Sequence, residues 1–218
     1  MVETTIPKRK ISARKAPNQE RSKARVDQIL EVTCELMATN GLEKLTTNHI
    51  AKASGMAVGS LYRYFPNKQA IIYEIYLRWL GQVRERMERF LEEITGAQPI
   101  IEVMQALAER IYGESLMPGD DKQLEMELRK AMSLYPELRE EDRKHGEQIA
   151  TLLSRILERA GLNASDKERM EIGAYLYGLD SVRQDLMEQG MDQQTIRVWQ
   201  WRATFGILQP FLPEGSRF

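Results

Sequence analysis

Apolar residues recur at intervals of three and four along most of this 218-residue chain, which is the spacing of one face of an α-helix. In the first such segment Val26, Ile29 and Leu30 begin the stripe, and Asn40 and Gly41 form a strong helix stop. Strand-like alternation is absent from the sequence, so the pattern predicts an all-α protein of about nine helices. The predicted helices cover residues 20–40, 46–54, 56–65, 68–91, 100–116, 124–135, 138–160, 166–188 and 192–209.

The segment from Thr46 to Lys68, TTNHIAKASGMAVGSLYRYFPNK, predicts two short helices joined by a tight turn. Thr46 can cap the first helix through its hydroxyl, and Gly55 can take the positive φ that a helix C-terminus often needs. Pro66 ends the second helix because it pushes the residue before it out of the α region, and Asn67 can cap the next helix. This order is the helix-turn-helix layout, in which the second helix enters the major groove of DNA.

The second short helix has a narrow apolar face and a large remaining surface. Leu61 and Phe65 lie four residues apart and can anchor it on the preceding helix. The residues at its N-terminal end are small, so its backbone can approach base edges closely. Two tyrosines and an arginine follow, and these side chains can donate to phosphate or to guanine. The residues left to contact DNA are Ala57, Val58, Gly59, Ser60, Tyr62, Arg63 and Tyr64.

Short motifs in this segment follow one another without gaps: Thr-Thr, Ile-Ala, Ala-Ser-Gly, Val-Gly-Ser-Leu-Tyr-Arg-Tyr-Phe and Pro-Asn-Lys. In this order they resemble the DNA-binding signature of TetR-family transcriptional regulators, whereas the rest of the chain is similar only in length and helical texture. The resemblance implies that Thr47 and Lys68 contact phosphates from two helix N-termini and that Tyr62 bonds the DNA backbone. It implies that residues 58–60 begin the recognition helix. Position 63 varies in the family, so a base contact by Arg63 is a hypothesis.

The net charge of −1 hides an uneven distribution along the chain. Residues 1–70 contain 12 Lys+Arg and 6 Asp+Glu, which leaves 19 basic and 26 acidic residues for the remainder. A basic N-terminal part supplies a field that attracts phosphates, and an acidic remainder keeps the rest of the surface away from the duplex. The alternative for the basic stretch is a solvated charge run without function.

The chain is predicted to divide into three segments. Residues 1–19 are basic, contain two prolines and have few large apolar residues, so we expect a disordered arm. This arm either follows the DNA or is only a solubilising tail. Residues 20–67 form the helix-turn-helix DNA-binding domain, and residues 68–218 form a helical ligand-binding and dimerisation domain. The helix that begins at Lys68 crosses this boundary and would act as a stiff lever.

The last two predicted helices, within about 166–209, have the features of an interface. Gly173 and Gly178 lie inside the first of them, where each costs about 1 kcal/mol relative to alanine, so they indicate close backbone approach to a neighbour. The second is apolar on more than one face, whereas a helix with one face exposed to water is usually apolar on the other face only. We expect these helices from two subunits to form a four-helix homodimer interface, as the resemblance also implies. Alternatively, they cap the core of a single subunit.

No residue set in the sequence points to catalysis or to metal binding. His49 and His145 lack metal-ligand spacing, and neither a phosphate-binding glycine loop nor a nucleophile elbow occurs. Cys34 lies near the first apolar stripe and is predicted to be a buried structural thiol. With one cysteine, no secretory signal and no apolar run of ~20 residues, we expect a cytoplasmic protein that does not enter a membrane. We expect no enzymatic activity, no cofactor and no metal.

Methionines are frequent in the acidic part of the chain, and methionine adapts to irregular cavities. They indicate a pocket for a small apolar effector, although ordinary helical core explains any single one of them. The candidate pocket residues are Met87, Met104, Met126, Tyr112, Tyr175 and Arg183.

These features predict a sequence-specific DNA-binding transcriptional regulator, a ligand-responsive repressor that binds a palindromic double-stranded operator as a dimer. Pairing two recognition helices about 34 Å apart supplies the affinity that one helix lacks. One alternative is a helical small-molecule-binding or enzymatic module that a basic head tethers to nucleic acid, and the missing catalytic set argues against it. Another is an architectural DNA binder without a ligand.

Overall fold

The computed structural model describes residues 20–112 and 122–212. These residues contain nine α-helices, one short 3-10 helix and no strand, so the all-α prediction is confirmed. Within them, no helix is both long enough and apolar enough to cross a bilayer. The predicted arm at 1–19 and the end of the helix predicted over 100–116 lie outside the described residues. The helices are α1 (Glu20–Asn40), α2 (Thr47–Ala53), α3 (Val58–Tyr64), α4 (Lys68–Glu93), α5 (Ile100–Tyr112), α6 (Lys122–Leu134), α7 (Pro136–Arg159), α8 (Asp166–Glu188), α9 (Gln193–Leu208) and the 3-10 helix Gln209–Phe211.

The helix ends follow the capping chemistry of the sequence, and the starts of α3 and α7 are shifted. Ser165 and Glu168 form a capping box at the start of α8, with their spacing of three residues. α3 begins at Val58, two residues later than predicted, because the N–H of Met56 still bonds the carbonyl of Ala51 in the preceding turn at 2.9 Å. α7 begins two residues early, at Pro136, where the fixed φ of proline suits the first helical position.

The described residues form two compact units, each with its own hydrophobic cluster. The head unit comprises residues 20–81 and 122–141. Its core brings together α1, α2, α3, the first turns of α4 and the inner face of α6, and α1 packs against both α2 and α6. Cys34 is buried in this core, as predicted, and burial raises the pKa of its thiol to about 11. Fully buried side chains of this core include Ile29, Met37, Ile50, Leu61, Phe65, Ile71 and Ile72.

The body unit comprises residues 82–112 and 142–212, and α8 packs against α9 within it. Its core includes Phe90, Val103 and Ile156. Gly173 allows α8 to approach α7 closely, because a Cβ at this position would lie 2.5 Å from the carbonyl oxygen of Ala150. The predicted close approach is therefore confirmed at Gly173. At Gly178 a Cβ would meet no heavy atom within 4 Å, so the packing of the protomer does not require this glycine.

We predict opposite effects of alanine at two helical glycines. Gly173→Ala should lower the free energy of unfolding by about 1–3 kcal/mol, because the added methyl group must push α7 and α8 apart. The control Gly81→Ala places a methyl group in open space within α4 and should raise it by up to about 1 kcal/mol. Urea denaturation followed by circular dichroism, at one protein concentration, measures both. A Gly173→Ala protein as stable as the wild type would contradict the close approach of the two helices.

Candidate nucleic-acid interface

α2, the turn and α3 form the helix-turn-helix that the sequence predicts. Thr46 accepts a hydrogen bond from the backbone N–H of His49 at 3.1 Å and so caps α2. Gly55 adopts φ +63° in the turn, a conformation that favours glycine. Leu61 and Phe65 are buried in the core of the head unit, so the anchoring face of α3 is confirmed. Asn67 caps α4 by accepting from the N–H of Ala70 at 2.8 Å.

The opposite face of α3 is open to solvent. Ala57, Gly59, Tyr62 and Arg63 are exposed, and Tyr62 is 40% exposed. Ser60 is half-buried. The N-terminal end of the helix therefore presents small side chains and accessible backbone, and a tyrosine and an arginine follow one turn later. Such a surface can enter a groove and donate hydrogen bonds to bases and phosphates. Two further predicted contact residues, Val58 and Tyr64, are half-buried and pack partly against the core.

Two of the predicted contact residues lie side by side. The hydroxyl oxygens of Thr47 and Tyr62 are 3.1 Å apart, although the residues are separated by 15 positions in the chain. Thr47 opens α2, and Tyr62 lies in the middle of α3. The pair therefore places two hydroxyl groups at one point of the surface, next to the positive end of the α2 dipole. Because one hydroxyl donates to the other, one O–H of the pair remains free to donate, and a phosphate oxygen at a helix N-terminus can accept from it.

Lys68, the first residue of α4, is half-buried, and its ammonium donates to the carbonyl oxygen of Leu42 at 3.1 Å. Burial lowers the pKa of this ammonium. An ammonium has three N–H donors, of which Leu42 accounts for one, so Lys68 can also contact a phosphate. The structure thus places Lys68 against the turn between α1 and α2, where its side chain is oriented before any DNA is bound.

A further contact at this turn could not be predicted from local sequence patterns. The carboxylate of Glu127, on α6, accepts a hydrogen bond from the N–H of Leu42 at 2.7 Å. Glu127 and Leu42 are 85 residues apart, and no local spacing rule links two residues at that distance.

The predicted effector-pocket residues occupy different environments. Met87 and Met104 are buried in the core of the body unit, whereas Met126 is an exposed residue of the head unit. Tyr175 is exposed on α8, and Arg183 pairs with Asp180 at 2.8 Å. The side chain of Tyr112 is not described. The effector pocket therefore stays a prediction.

A cleft of about 390 Å³ lies in the head unit, and none of the predicted pocket residues is among the residues that line it. It is lined by Gln69, Tyr73, Leu134, Tyr135, Pro136, Glu137 and Leu138.

The two histidines have different surroundings. His49 is exposed on α2, and its Nδ1 lies 3.1 Å from the carbonyl oxygen of Lys44. His145 is buried, and burial lowers the pKa of its imidazole to about 4. Asp142 raises this pKa and Arg84 lowers it, each with a smaller effect than burial. The buried imidazole is therefore neutral at pH 7. In the part of the chain that the structure describes, no group of three His, Cys, Asp or Glu side chains could hold a metal ion.

Sequence comparison connects this geometry to known proteins. Residues 29–75 match the family described as bacterial regulatory proteins, tetR family. The fatty acid metabolism regulator protein of Bacillus subtilis is 38% identical over 66 residues, which cover 30% of this chain and 34% of that protein. The HTH-type transcriptional repressor KstR2 of Mycolicibacterium smegmatis is 32% identical over 87 residues, or 37% of this chain and 42% of that protein. The chain thus spans well under half the length of either relative.

Structure comparison extends the likeness beyond the head unit. A TetR-family transcriptional regulator from Mesorhizobium loti has a TM-score of 0.69 at 18% identity, covering 89% of this chain and 98% of that one. SmeT, the repressor of a multidrug efflux pump of Stenotrophomonas maltophilia, has a TM-score of 0.60 at 17% identity, covering 87% and 91%. At these identities the likeness concerns the fold. Residues 29–75 therefore have the sequence of the tetR family of bacterial regulatory proteins, and the chain shares its fold with solved TetR-family regulators.

Proposed function

We propose that this chain is a cytoplasmic, sequence-specific transcriptional regulator that binds a palindromic DNA operator as a homodimer and acts as a ligand-responsive repressor. The observation that carries the proposal is the exposed face of α3 beside the paired hydroxyls of Thr47 and Tyr62. In this proposal, residues 20–67 bind DNA and residues 68–218 bind the effector and the second subunit. The DNA contacts are Thr47, Ala57, Val58, Gly59, Ser60, Tyr62, Arg63, Tyr64 and Lys68.

Repression rather than activation is supported by the relatives. KstR2 is named a transcriptional repressor, and SmeT is described as the repressor of an efflux pump. A bound effector would shift the equilibrium between two states of the protein only by the difference between its binding free energies for those states. This difference is typically about 1–3 kcal/mol. We place the effector site in the body unit, whose core holds Met87 and Met104.

Exposed apolar stripes on α8 and α9 support a homodimer through these helices. On α8, Tyr175, Gly178 and Val182 follow the i, i+3, i+7 spacing of one helix face, and Tyr175 is 57% exposed. On α9, Trp199 is 58% exposed, and the guanidinium of Arg202 lies 5.2 Å from the centre of its ring. Exposed apolar patches of this kind mark interaction surfaces, and the open space at Gly178 leaves room for a partner helix.

We predict that the protein selects one DNA site from a random-sequence pool. Repeated rounds of binding and amplification should enrich a sequence with two inverted half-sites about 10 base pairs apart, because paired recognition helices read successive major-groove turns. Binding of the enriched duplex and of a scrambled duplex is then compared by electrophoretic mobility shift, with and without a panel of small apolar compounds. Equal affinity for the two duplexes would overturn the specific-regulator proposal. A release of DNA by one compound would identify an effector class.

We predict that Tyr62→Phe weakens DNA binding about fivefold, which is the value of one hydrogen bond of about 1 kcal/mol. The loss should be equal on the enriched and the scrambled duplex, because the hydroxyl contacts the backbone rather than a base. Fluorescence anisotropy at one salt concentration measures it. Tyr73→Phe is the matched control, since it removes a tyrosine hydroxyl elsewhere in the head unit, where it bonds Glu141. A Tyr62→Phe protein that binds like the wild type would remove Tyr62 from the DNA contacts.

We predict that Trp199→Glu converts the dimer to a monomer, because it places a carboxylate in an interface where it would have to be desolvated. Sedimentation velocity at micromolar concentration measures the mass. The control is Leu134→Glu, which makes the same kind of change at a residue of the head unit that is equally exposed, at 59%. A Trp199→Glu protein that stays dimeric would place the interface elsewhere. A wild-type protein that is monomeric would refute the dimer altogether.

A further inference from the structure

The turn between α1 and α2 is held from two directions by charged side chains. The N–H of Leu42 donates to Oε2 of Glu127 at 2.7 Å, and its carbonyl oxygen accepts from Nζ of Lys68 at 3.1 Å. Glu127 lies in the middle of α6, and Lys68 is the first residue of α4. Both backbone polar groups of one turn residue are therefore bonded to helices that follow much later in the chain.

Glu127 is a buried carboxylate with a full set of donors. It is 2% exposed, and besides Leu42 it accepts from Gln123 at 3.1 Å and from Lys130 at 2.6 Å. Burial alone would raise its pKa, but these hydrogen bonds and the charge of Lys130 outweigh burial and lower it. A buried charge that loses a partner is costly, so the carboxylate strongly resists any movement of Leu42 away from α6.

The shape of the turn fits this carboxylate. Gly41 ends α1 with φ +79°, and its N–H bonds the carbonyl of Met37 at 2.9 Å. A Cβ at Gly41 would lie 3.6 Å from Oε2 of Glu127, so the backbone at this glycine runs in close contact with the carboxylate. The side chain of Leu42 is itself buried in the core of the head unit. The place of this residue is thus set by packing, by backbone conformation and by two charged partners.

We infer that Glu127 is a positioning residue for DNA binding: by holding Leu42 it fixes the carbonyl oxygen that orients the ammonium of Lys68. The inference rests on the proposed function, because it assigns Lys68 to a phosphate contact. Glu127 itself is buried and touches no DNA. Its effect passes through Leu42 to Lys68, so removing its charge should matter only while Lys68 is present.

The first test uses the free protein and needs no DNA. Amide hydrogen exchange followed by NMR should show the N–H of Leu42 exchanging on the order of 10-fold more slowly than those of Glu43 and Lys44, and Glu127→Gln should reduce this protection. A wild-type Leu42 amide that exchanges as fast as that of Glu43 would overturn the inference. This outcome is independent of whether the protein binds DNA specifically.

The second test is a double-mutant cycle on the duplex enriched from the random pool. Glu127→Gln should weaken binding roughly 10-fold, as expected for a charged hydrogen bond. The same change in a Lys68→Met background should have little further effect, because both residues belong to one hydrogen-bond network through Leu42, and substitutions within such a network are not additive. Glu125→Gln, on the same helix beside Arg129, should leave binding unchanged. Glu127→Asp, which shortens the side chain, replaces Glu127→Gln in the cycle if the latter does not fold by circular dichroism.

The outcomes of the cycle separate the two proposals. If Glu127→Gln binds within twofold of the wild type, or if its effect is the same with and without Lys68, Glu127 has a structural role only and the inference is wrong. If the wild type does not distinguish the enriched from the scrambled duplex, the proposed function fails, while the exchange experiment still decides whether the carboxylate holds the turn.

Discussion

The burial of a few side chains of α2 and α3 is the constraint on which the head unit depends. Each helix has seven residues, and isolated helices of that length are not stable in water. Their stability must come from tertiary packing, and Ile50, Leu61 and Phe65 supply it, since each is at most 1% exposed. Because one face of α3 is sealed into the core by Leu61 and Phe65, the other face must point outwards. The side chains of α3 that are buried in the core therefore determine which of its side chains are exposed and available to DNA.

The parts of the fold that local chemistry decides could be predicted from the sequence. Thr46, Gly55 and Asn67 act on backbone groups within a few residues of themselves, so their types and spacing suffice to place the turn and the helix starts. The shift of α3 to Val58 also has a local cause, a single hydrogen bond from Met56 that extends the turn. The hydrogen bond between Thr47 and Tyr62 joins neighbouring helices, and it follows once both helix positions are known.

Contacts between distant segments could not be predicted in this way. α6 contains two glutamates, Glu125 and Glu127, and helical spacing places Glu127 on the face of the buried Leu124 and Leu128. The spacing does not show that the partner of its carboxylate is Leu42, 85 residues earlier in the chain. The two glycines of α8 show the same limit, because they have the same local cost in a helix. Only the structure shows that Gly173 faces α7 whereas Gly178 faces open space. Hydrophobic periodicity indicates which face of a helix is buried, but not which other helix packs against that face.

A carboxylate inside the unit that we propose to bind DNA raises an electrostatic question. Charges interact appreciably within a Debye length of about 8 Å at physiological salt, so an unpaired carboxylate near the phosphate-binding surface would oppose DNA. Lys130 lies 2.6 Å from Glu127 and neutralises it at short range, and the burial of the carboxylate keeps it away from the solvent that the duplex would occupy. The head unit can thus use the strength of an ionic hydrogen bond to fix its turn without placing an unpaired negative charge beside the proposed phosphate contact of Lys68. Glutamine at position 127 would not repel phosphate, but it would accept a weaker hydrogen bond from Leu42. The presence of a charged residue together with a neutralising partner therefore indicates that this turn is held rigidly.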